Sequence, residues 1–120
     1  MAAKADILVD QGTTFNTQLN LTDDSGQVLD LTGYTAYGQI RQWYTSSTSI
    51  PFTTNIPQPN NGIITLSLDA NTTAGMYYGR YVYDIIIASS ANVITRIVEG
   101  ILTVTPEVTQ LPGVTYPYAY

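Results

Sequence analysis

The chain has 120 residues, no cysteine and no histidine, and a formal net charge of −5 from nine acidic and four basic residues. This length suits one domain with a buried core. Without cysteine there is no disulfide or thiolate chemistry, and without histidine the commonest general base and metal ligand are missing. Four scattered cations cannot neutralise the phosphates of a nucleic acid. We therefore expect a protein that is not an enzyme, has no catalytic residue, cofactor or metal, and does not bind nucleic acid.

Membrane and secretion signals are not expected either. No stretch reaches the ~20 consecutive apolar residues of a membrane-spanning helix. Residues 1–6 lack the apolar region of a secretory signal. These features favour synthesis in a bacterial cytoplasm and no membrane partner.

Alternating apolar and polar residues predict strands along most of the chain. In residues 14–22 the apolar side chains fall on one face and amides on the other. The predicted strands are residues 7–9, 14–22, 34–44, 51–54, 63–68, 81–88 and 93–105.

Turn and helix signals separate these strands. Residues 23–26 and 57–62 are rich in Asp, Asn, Gly and Pro, which favour turns. Pro51 cannot donate to a ladder and indicates an edge strand. Residues 69–74 predict one or two helical turns, capped by Asp69 and ended by Gly75. Glu99 and Gly100 are expected to form a bulge.

Short strands at such spacings predict an all-β fold, an immunoglobulin-like β-sandwich of about seven to nine mostly antiparallel strands. The predicted domain covers residues 1–105, and residues 106–120 form a separate extended C-terminal arm. The strand periodicity predicts a core made of ten side chains: Phe15, Leu19, Leu21, Ile40, Ile64, Leu66, Leu68, Val82, Ile86 and Val104.

Charged residues on the strands are expected to set the strand register. A hairpin turn at Ser90 and Ala91 would bring Asp84 near Ile97, with Glu99 within reach. This predicts a cross-strand ion pair, either Asp84 with Arg96 or Glu99 with Arg41. A calcium site at Asp23, Asp24 and Asp30 is the alternative use of the acidic turns, but their spacing differs from that of a calcium loop.

Two aromatic features of the domain have predicted structural roles. In immunoglobulin-like sandwiches, a tyrosine at the start of the penultimate strand bonds back to the preceding corner. Tyr81 and Tyr83 are both placed to do so. Trp43 is expected to anchor either the core or an interface, and we include it among the partner-binding residues.

The last fifteen residues differ from the rest of the chain, with three prolines and three tyrosines. Prolines favour an extended backbone that cannot continue the final strand. Tyr116, Tyr118 and Tyr120 would place three rings on one face of such a segment. Tyrosine rings bury large areas at interfaces. We predict that Tyr116, Pro117, Tyr118 and Tyr120 bind another subunit; the alternative is a loose tail.

The sequence resembles a known group of proteins in residues 6–109. The segments that carry the resemblance are residues 7–15, 29–35, 81–85 and 96–109, in which residues 96–109 read RIVEGILTVTPEVT. They look like small virion structural proteins of tailed bacteriophages, and are similar to the N-terminal β-sandwich of baseplate upper proteins and to tail-fibre anchoring domains. The resemblance implies no active site and a role in virion assembly.

The function that this resemblance implies is structural. We expect a capsid cement or decoration protein that binds the major capsid protein or tail and baseplate proteins, as a homo-oligomer on the particle. Baseplate proteins continue beyond the sandwich, whereas this chain ends at Tyr120, which favours the decoration role. A neck, baseplate or tail-fibre adaptor is the alternative. A carbohydrate-binding module is the alternative of another class, because Tyr and Trp faces can stack on sugars.

Overall fold

The fold consists of short strands and one short helix. The computed structural model describes residues 3–23, 25–109, 112–114 and 117. In these residues the elements are β1 (Ala3–Lys4), β2 (Ile7–Asp10), β3 (Phe15–Asn20), β4 (Thr35–Arg41), β5 (Ile50–Pro51), β6 (Thr53–Gln58), a 3-10 turn (Pro59–Asn61), β7 (Ile63–Leu68), α1 (Ala70–Ala74), β8 (Gly79–Ala88) and β9 (Ile94–Thr105).

The strands form two sheets that face each other. The large sheet has the order β9-β8-β4-β5, and β1 and β2 both run parallel to β9 at its other edge. The small sheet has the order β3-β7-β6. All the other pairs are antiparallel. The predicted β-sandwich is therefore confirmed, and the strand order is immunoglobulin-like.

The core lies between the sheets and contains most of the predicted side chains. Ile40, Ile64, Leu66, Leu68 and Val104 are at most 3% exposed. The other predicted residues of the first strands, Phe15, Leu19 and Leu21, are half-buried and pack against this core.

The predicted face of β8 is wrong. Val82 and Ile86 point outwards, and the alternate residues Tyr81, Tyr83, Ile85 and Ile87 point into the core. The two charged residues of the strand, Arg80 and Asp84, lie on the same face as Val82, so alternation does mark this face as the exposed one. On the inner face, Tyr83 packs edge-on against Phe52 with centroids 6.0 Å apart.

The β8–β9 hairpin also differs from its predicted register. The bulge is at Ile97, where the pairing shifts between Ile85 and Ile86, rather than at Glu99 and Gly100. A side chain at Gly100 would collide with the carbonyl oxygen of Ala5. Gly100 is thus explained by the close approach of the segment between β1 and β2, and not by a bulge.

The shifted register places Asp84 opposite Glu99 instead of Ile97. The predicted Asp84–Arg96 pair forms at 3.8 Å, and Arg96 also contacts Glu99 at 3.1 Å. The alternative pair, Glu99 with Arg41, is not formed: the Arg41 guanidinium donates instead to the carbonyl of Ser46 at 2.6 Å and to the side chain of Gln39 at 2.9 Å.

The turn predicted at residues 57–62 begins later than expected. Strand β6 continues through Pro57 to Gln58, with a register shift against β7 after Asn55. Gly62, at φ 65°, ends the 3-10 turn that follows. The predicted edge strand at residues 51–54 is divided, because Pro51 belongs to the large sheet and Thr53 to the small one.

The predicted helical corner is confirmed and is fixed by hydrogen bonds. Asp69 accepts from the backbone N–H of Thr72 at 2.7 Å and caps α1. Hydrogen bonds from the side chain and backbone of Thr72 lower the pKa of Asp69. The Thr73 hydroxyl donates to the carbonyl of Thr13 at 2.7 Å, which joins the corner to the turn between β2 and β3.

The tyrosine corner is formed by Tyr81, whose hydroxyl donates to the carbonyl of Tyr77 at 2.8 Å. Burial raises the pKa of Tyr81. Tyr83, the other candidate, donates instead to the carbonyl of Ala5. Burial, and secondarily the negative charge of Asp6, raise the pKa of Tyr83 to about 12. Both phenols therefore stay neutral donors at physiological pH.

Candidate interaction surface

The predicted partner-binding residues that the structure describes lie at the surface. Trp43 is 57% exposed in the loop after β4 and takes no part in the core. Pro117 is half-buried. Tyr116, Tyr118 and Tyr120 lie outside the described residues, so the prediction for these three rings is untested.

Trp43 belongs to a group of exposed rings at one end of the sandwich. The end of β4 and the start of β8 are neighbours, since Arg41 pairs with Val82. The loop after β4 and the corner before β8 therefore lie at the same end. This end, which we call the aromatic end, carries four rings that are each more than half exposed: Trp43, Tyr44, Tyr77 and Tyr78.

The C-terminal tail starts at this same end. Strand β9 ends at Thr105, directly before Pro106, and its neighbour Val104 pairs with Gly79 at the start of β8. The chain thus leaves the sheet where the sequence predicted. The Tyr77 hydroxyl donates to the carbonyl of Pro117 at 3.3 Å, so the tail passes the aromatic end.

The tail is less separate from its own domain than expected. A side chain on Gly12 would collide with the carboxylate of Glu107, so these residues are in close contact. Together with the Tyr77–Pro117 hydrogen bond, this contact joins the tail to its own domain at two described places. The prolines and the loss of alternation predict where β9 ends. They do not predict that the tail contacts Gly12 and Tyr77 of its own domain.

A shallow groove runs from the aromatic end over the outer face of the large sheet. Its volume is about 260 Å³, and Tyr44 forms one wall. Arg41, Asp84, Arg96 and Glu99 line the rest together with Gln39 and Val82. Because Arg96 contacts both carboxylates, most of the charge is balanced within the groove.

A second depression of about 150 Å³ lies at the aromatic end itself, beside Tyr77 and Gln42. Both depressions are open surfaces that can accept a projecting side chain or a planar ring. The aromatic end therefore combines exposed rings with concave places for a partner's side chains, as protein interfaces do.

The acidic turns bind their own backbone. One carboxylate oxygen of Asp23 accepts from the N–H and hydroxyl of Ser25 and from the N–H of Gln27. These bonds lower the pKa of Asp23, the Ser25 side chain most of all. Asp30 accepts in the same way from Thr32. Asp24 lies outside the described residues, and no metal-binding group of three or more acidic, His or Cys residues occurs within them.

Sequence reasoning missed Tyr44, Tyr77 and Tyr78. They lie in loops, where no periodicity indicates which side chains are exposed. The available signal was local: two consecutive tyrosines directly precede Gly79 and the start of a strand, and a tyrosine follows Trp43.

The strand order, the helical corner and the tyrosine corner define an immunoglobulin-like β-sandwich domain. In the part of the chain that the structure describes, no helix is long and apolar enough to span a membrane. No protein-family model matches the chain, and no curated protein matches its sequence significantly.

Several solved structures are similar in fold, all with low identity. An internalin-like protein of Listeria monocytogenes is 16% identical with a TM-score of 0.47; the match covers 87% of this chain and 28% of that protein. The filamin domain of Lin-41 is 16% identical with a TM-score of 0.46, over 82% of each chain. CopC from Methylosinus trichosporium OB3b is 16% identical with a TM-score of 0.46, over 92% of this chain and 91% of CopC. Likeness at this level carries no functional argument.

Proposed function

We propose that this chain is a structural protein of a tailed-phage virion, a cement or decoration protein that binds neighbouring subunits through its aromatic end and its tail. It is made in the host cytoplasm and acts on the particle. The observation that carries the proposal is that the four exposed rings and the start of the tyrosine-rich tail lie at the same end of the sandwich.

The surface chemistry of the aromatic end is that of a protein interface. Soluble monomers tend not to expose contiguous apolar patches. Tyr and Trp are enriched at the centres of protein interfaces, because they bury large areas with few rotatable bonds and keep a polar group for the rim. Only 11% of the residues are charged, so covering this surface costs little charge desolvation.

The resemblance of residues 6–109 to phage virion proteins supports this class. A decoration protein, which binds capsid subunits, and a neck, baseplate or tail-fibre adaptor, which binds tail proteins, would both use the aromatic end. The resemblance covers both roles; we propose the decoration role first, and the partner that the chain binds distinguishes the two.

The test is binding of the purified full-length chain to particles that lack it. Trp43→Ala combined with Tyr78→Ala removes two rings of the aromatic end and should abolish co-sedimentation with the particles. Tyr37→Ala is the matched control, because Tyr37 is 53% exposed on β4 away from this end. Particle binding by the double variant as strong as that of the control would overturn the proposal.

A carbohydrate-binding module is the second candidate, favoured by the groove. Tyr44 stands beside Arg, Asp, Glu and Gln side chains, which is the combination of ring and polar groups that binds sugars. Titration with bacterial cell-wall oligosaccharides distinguishes the two. Saturable binding that Tyr44→Ala abolishes, together with no particle binding, would favour the carbohydrate function.

A further inference from the structure

The first and last strands of the domain lie side by side and run parallel. Strand β1 pairs with β9 at Ala3 and Lys4, and β2 pairs with it over Ile7–Asp10. Within the described residues, β9 is the only strand that pairs with either of them. The N-terminal segment, residues 3–11, is therefore held in the large sheet by one strand, and the C-terminal tail leaves from that same strand.

Hydrogen bonds extend this contact beyond the two short strands. Between β1 and β2, the N–H of Ala5 donates to the carbonyl of Glu99 at 2.9 Å. After β2, the N–H of Gln11 donates to the carbonyl of Thr105 at 2.9 Å. The Thr105 hydroxyl also donates to the Asp10 carboxylate at 2.7 Å. The contact thus runs along the whole N-terminal segment.

Side chains bridge the interruption between β1 and β2. The Asp6 carboxylate accepts from the N–H of Ile101 at 3.2 Å. The Tyr83 hydroxyl donates to the carbonyl of Ala5, for which Gly100 leaves room. The interruption therefore does not divide the contact into two weaker halves, because side chains bond the backbone groups there.

Parallel pairing places the two chain ends at opposite ends of this contact. The chain enters at Ala3, beside Val98, and leaves after Thr105, beside Asp10. Tension between the two chain ends therefore acts along the paired strands. The hydrogen bonds of a ladder lie across the strands, so sliding one strand past the other strains all of them together. Separating the strands sideways instead breaks the bonds one after another.

The opposite side of β9 is held more extensively. All ten residues of β8 pair with β9, whereas β1 and β2 together supply six. The contact with the N-terminal segment is therefore the one that must slip first under tension. Because this segment precedes β3 in the chain, tension from the N-terminal side does not reach the small sheet until the contact has failed.

We propose that residues 3–11 and residues 98–105 form a mechanical clamp, through which the domain carries tension between the chain before β1 and the tail after β9. We call this contact the terminal clamp. It resists tension along the strands and yields easily to tension across them. The terminal clamp rests on the strand pairing alone, and it carries load whether or not the chain belongs to a virion.

Single-molecule force spectroscopy of the full-length chain tests the terminal clamp. The chain has no cysteine, so pairs of introduced cysteines define where the force is applied. Ala3→Cys with Pro106→Cys applies tension along the paired strands. Ala3→Cys with Val93→Cys applies it across them, because Val93 lies directly before β9, at the end where β1 begins. At equal pulling speed, we expect the mean unfolding force along the strands to be at least about twofold higher than across them.

Proline variants test whether the ladder itself carries the load. The N–H of Gln11 points towards β9, and alternate positions of a strand share this direction, so the N–H of Ile7 points there as well and that of Leu8 points away. Ile7→Pro removes a ladder donor and should lower the unfolding force along the strands. Leu8→Pro is the matched control and should leave this force unchanged.

Thermal melting establishes that both proline variants are folded. If Ile7→Pro does not fold, the comparison of the two pulling directions decides alone, because it uses no proline variant. Equal mean forces in the two directions, or equal forces along the strands for the two folded proline variants, overturn the proposal.

Discussion

Replacing Tyr81 with phenylalanine tests the tyrosine corner. The change removes only the hydroxyl, which donates to the Tyr77 carbonyl at 2.8 Å from a ring that is 6% exposed. A net hydrogen bond contributes about 0.5–1.5 kcal/mol, and the acceptor left without its donor costs more. We therefore expect Tyr81→Phe to lower the free energy of unfolding by about 1–2 kcal/mol. For a domain of this size that lowers Tm by about 3–8 °C.

Urea unfolding followed by tyrosine and tryptophan fluorescence measures this loss. Tyr37→Phe is the control, because Tyr37 is 53% exposed and its variant should change stability by less than about 0.5 kcal/mol. The slope of the free energy against urea should be the same for both variants, since the unfolded chain exposes the same surface. Equal stabilities for the two variants would refute the role of the corner in holding the fold.

Three further predictions concern the core, the pH dependence and the tail. Leu66→Ala should cost about 2–5 kcal/mol in the same assay because Leu66 is fully buried, whereas Leu8→Ala, 65% exposed, should cost less than about 0.5; a loss below 0.5 for Leu66 would contradict the packing. The pKa of Tyr83 is raised from 10.0 to about 12. The contribution of its neutral phenol to the free energy of unfolding is therefore complete below pH 10 and is lost as the pH rises to about 12. Partial solvent screening limits that loss of stability to about 1–2 kcal/mol. The Tyr83→Phe variant should not show the loss, and identical profiles of stability against pH for wild type and variant would contradict the prediction. Deleting residues 116–120 should lower the free energy of unfolding by less than about 1 kcal/mol, because the tyrosines of this segment are proposed to bury their rings against another subunit; a large loss would mean that these residues pack on their own sandwich.

The elements that the sequence predicts well are those with one clear signal. Residues 63–68 alternate strictly, and β7 has these bounds. The cap at Asp69 and the stop at Gly75 bound α1 as expected. In both places, the local preference and the tertiary packing agree.

The errors have two causes: a local signal that was given too little weight, and a contact with a residue far along the chain. On β8, Arg80 and Asp84 share the face of Val82 and mark it as the exposed face. The inner face carries Tyr83, which packs against Phe52. Gly100 is required by Ala5, which is distant in sequence. No local pattern can reveal such a contact.

The candidate site likewise combines residues that the sequence identifies with residues that only the fold brings together. The sequence singles out Trp43 and the tail by composition. The structure places Trp43 at the surface, at the same end of the sandwich as Tyr77, which contacts Pro117. Tyr44 and Tyr78 join them only because the ends of β4 and β8 are neighbours in the sheet. Pairing of strands distant in sequence creates this group of rings.

Imaging the intact particle by cryo-electron microscopy is the decisive experiment for the proposed virion role. We expect density for this β-sandwich with its aromatic end, around Trp43 and Tyr78, buried against another virion protein. The residues after Thr105 should continue into that contact. A sandwich whose aromatic end faces solvent, or particles that do not contain the chain, would rule out the proposed role.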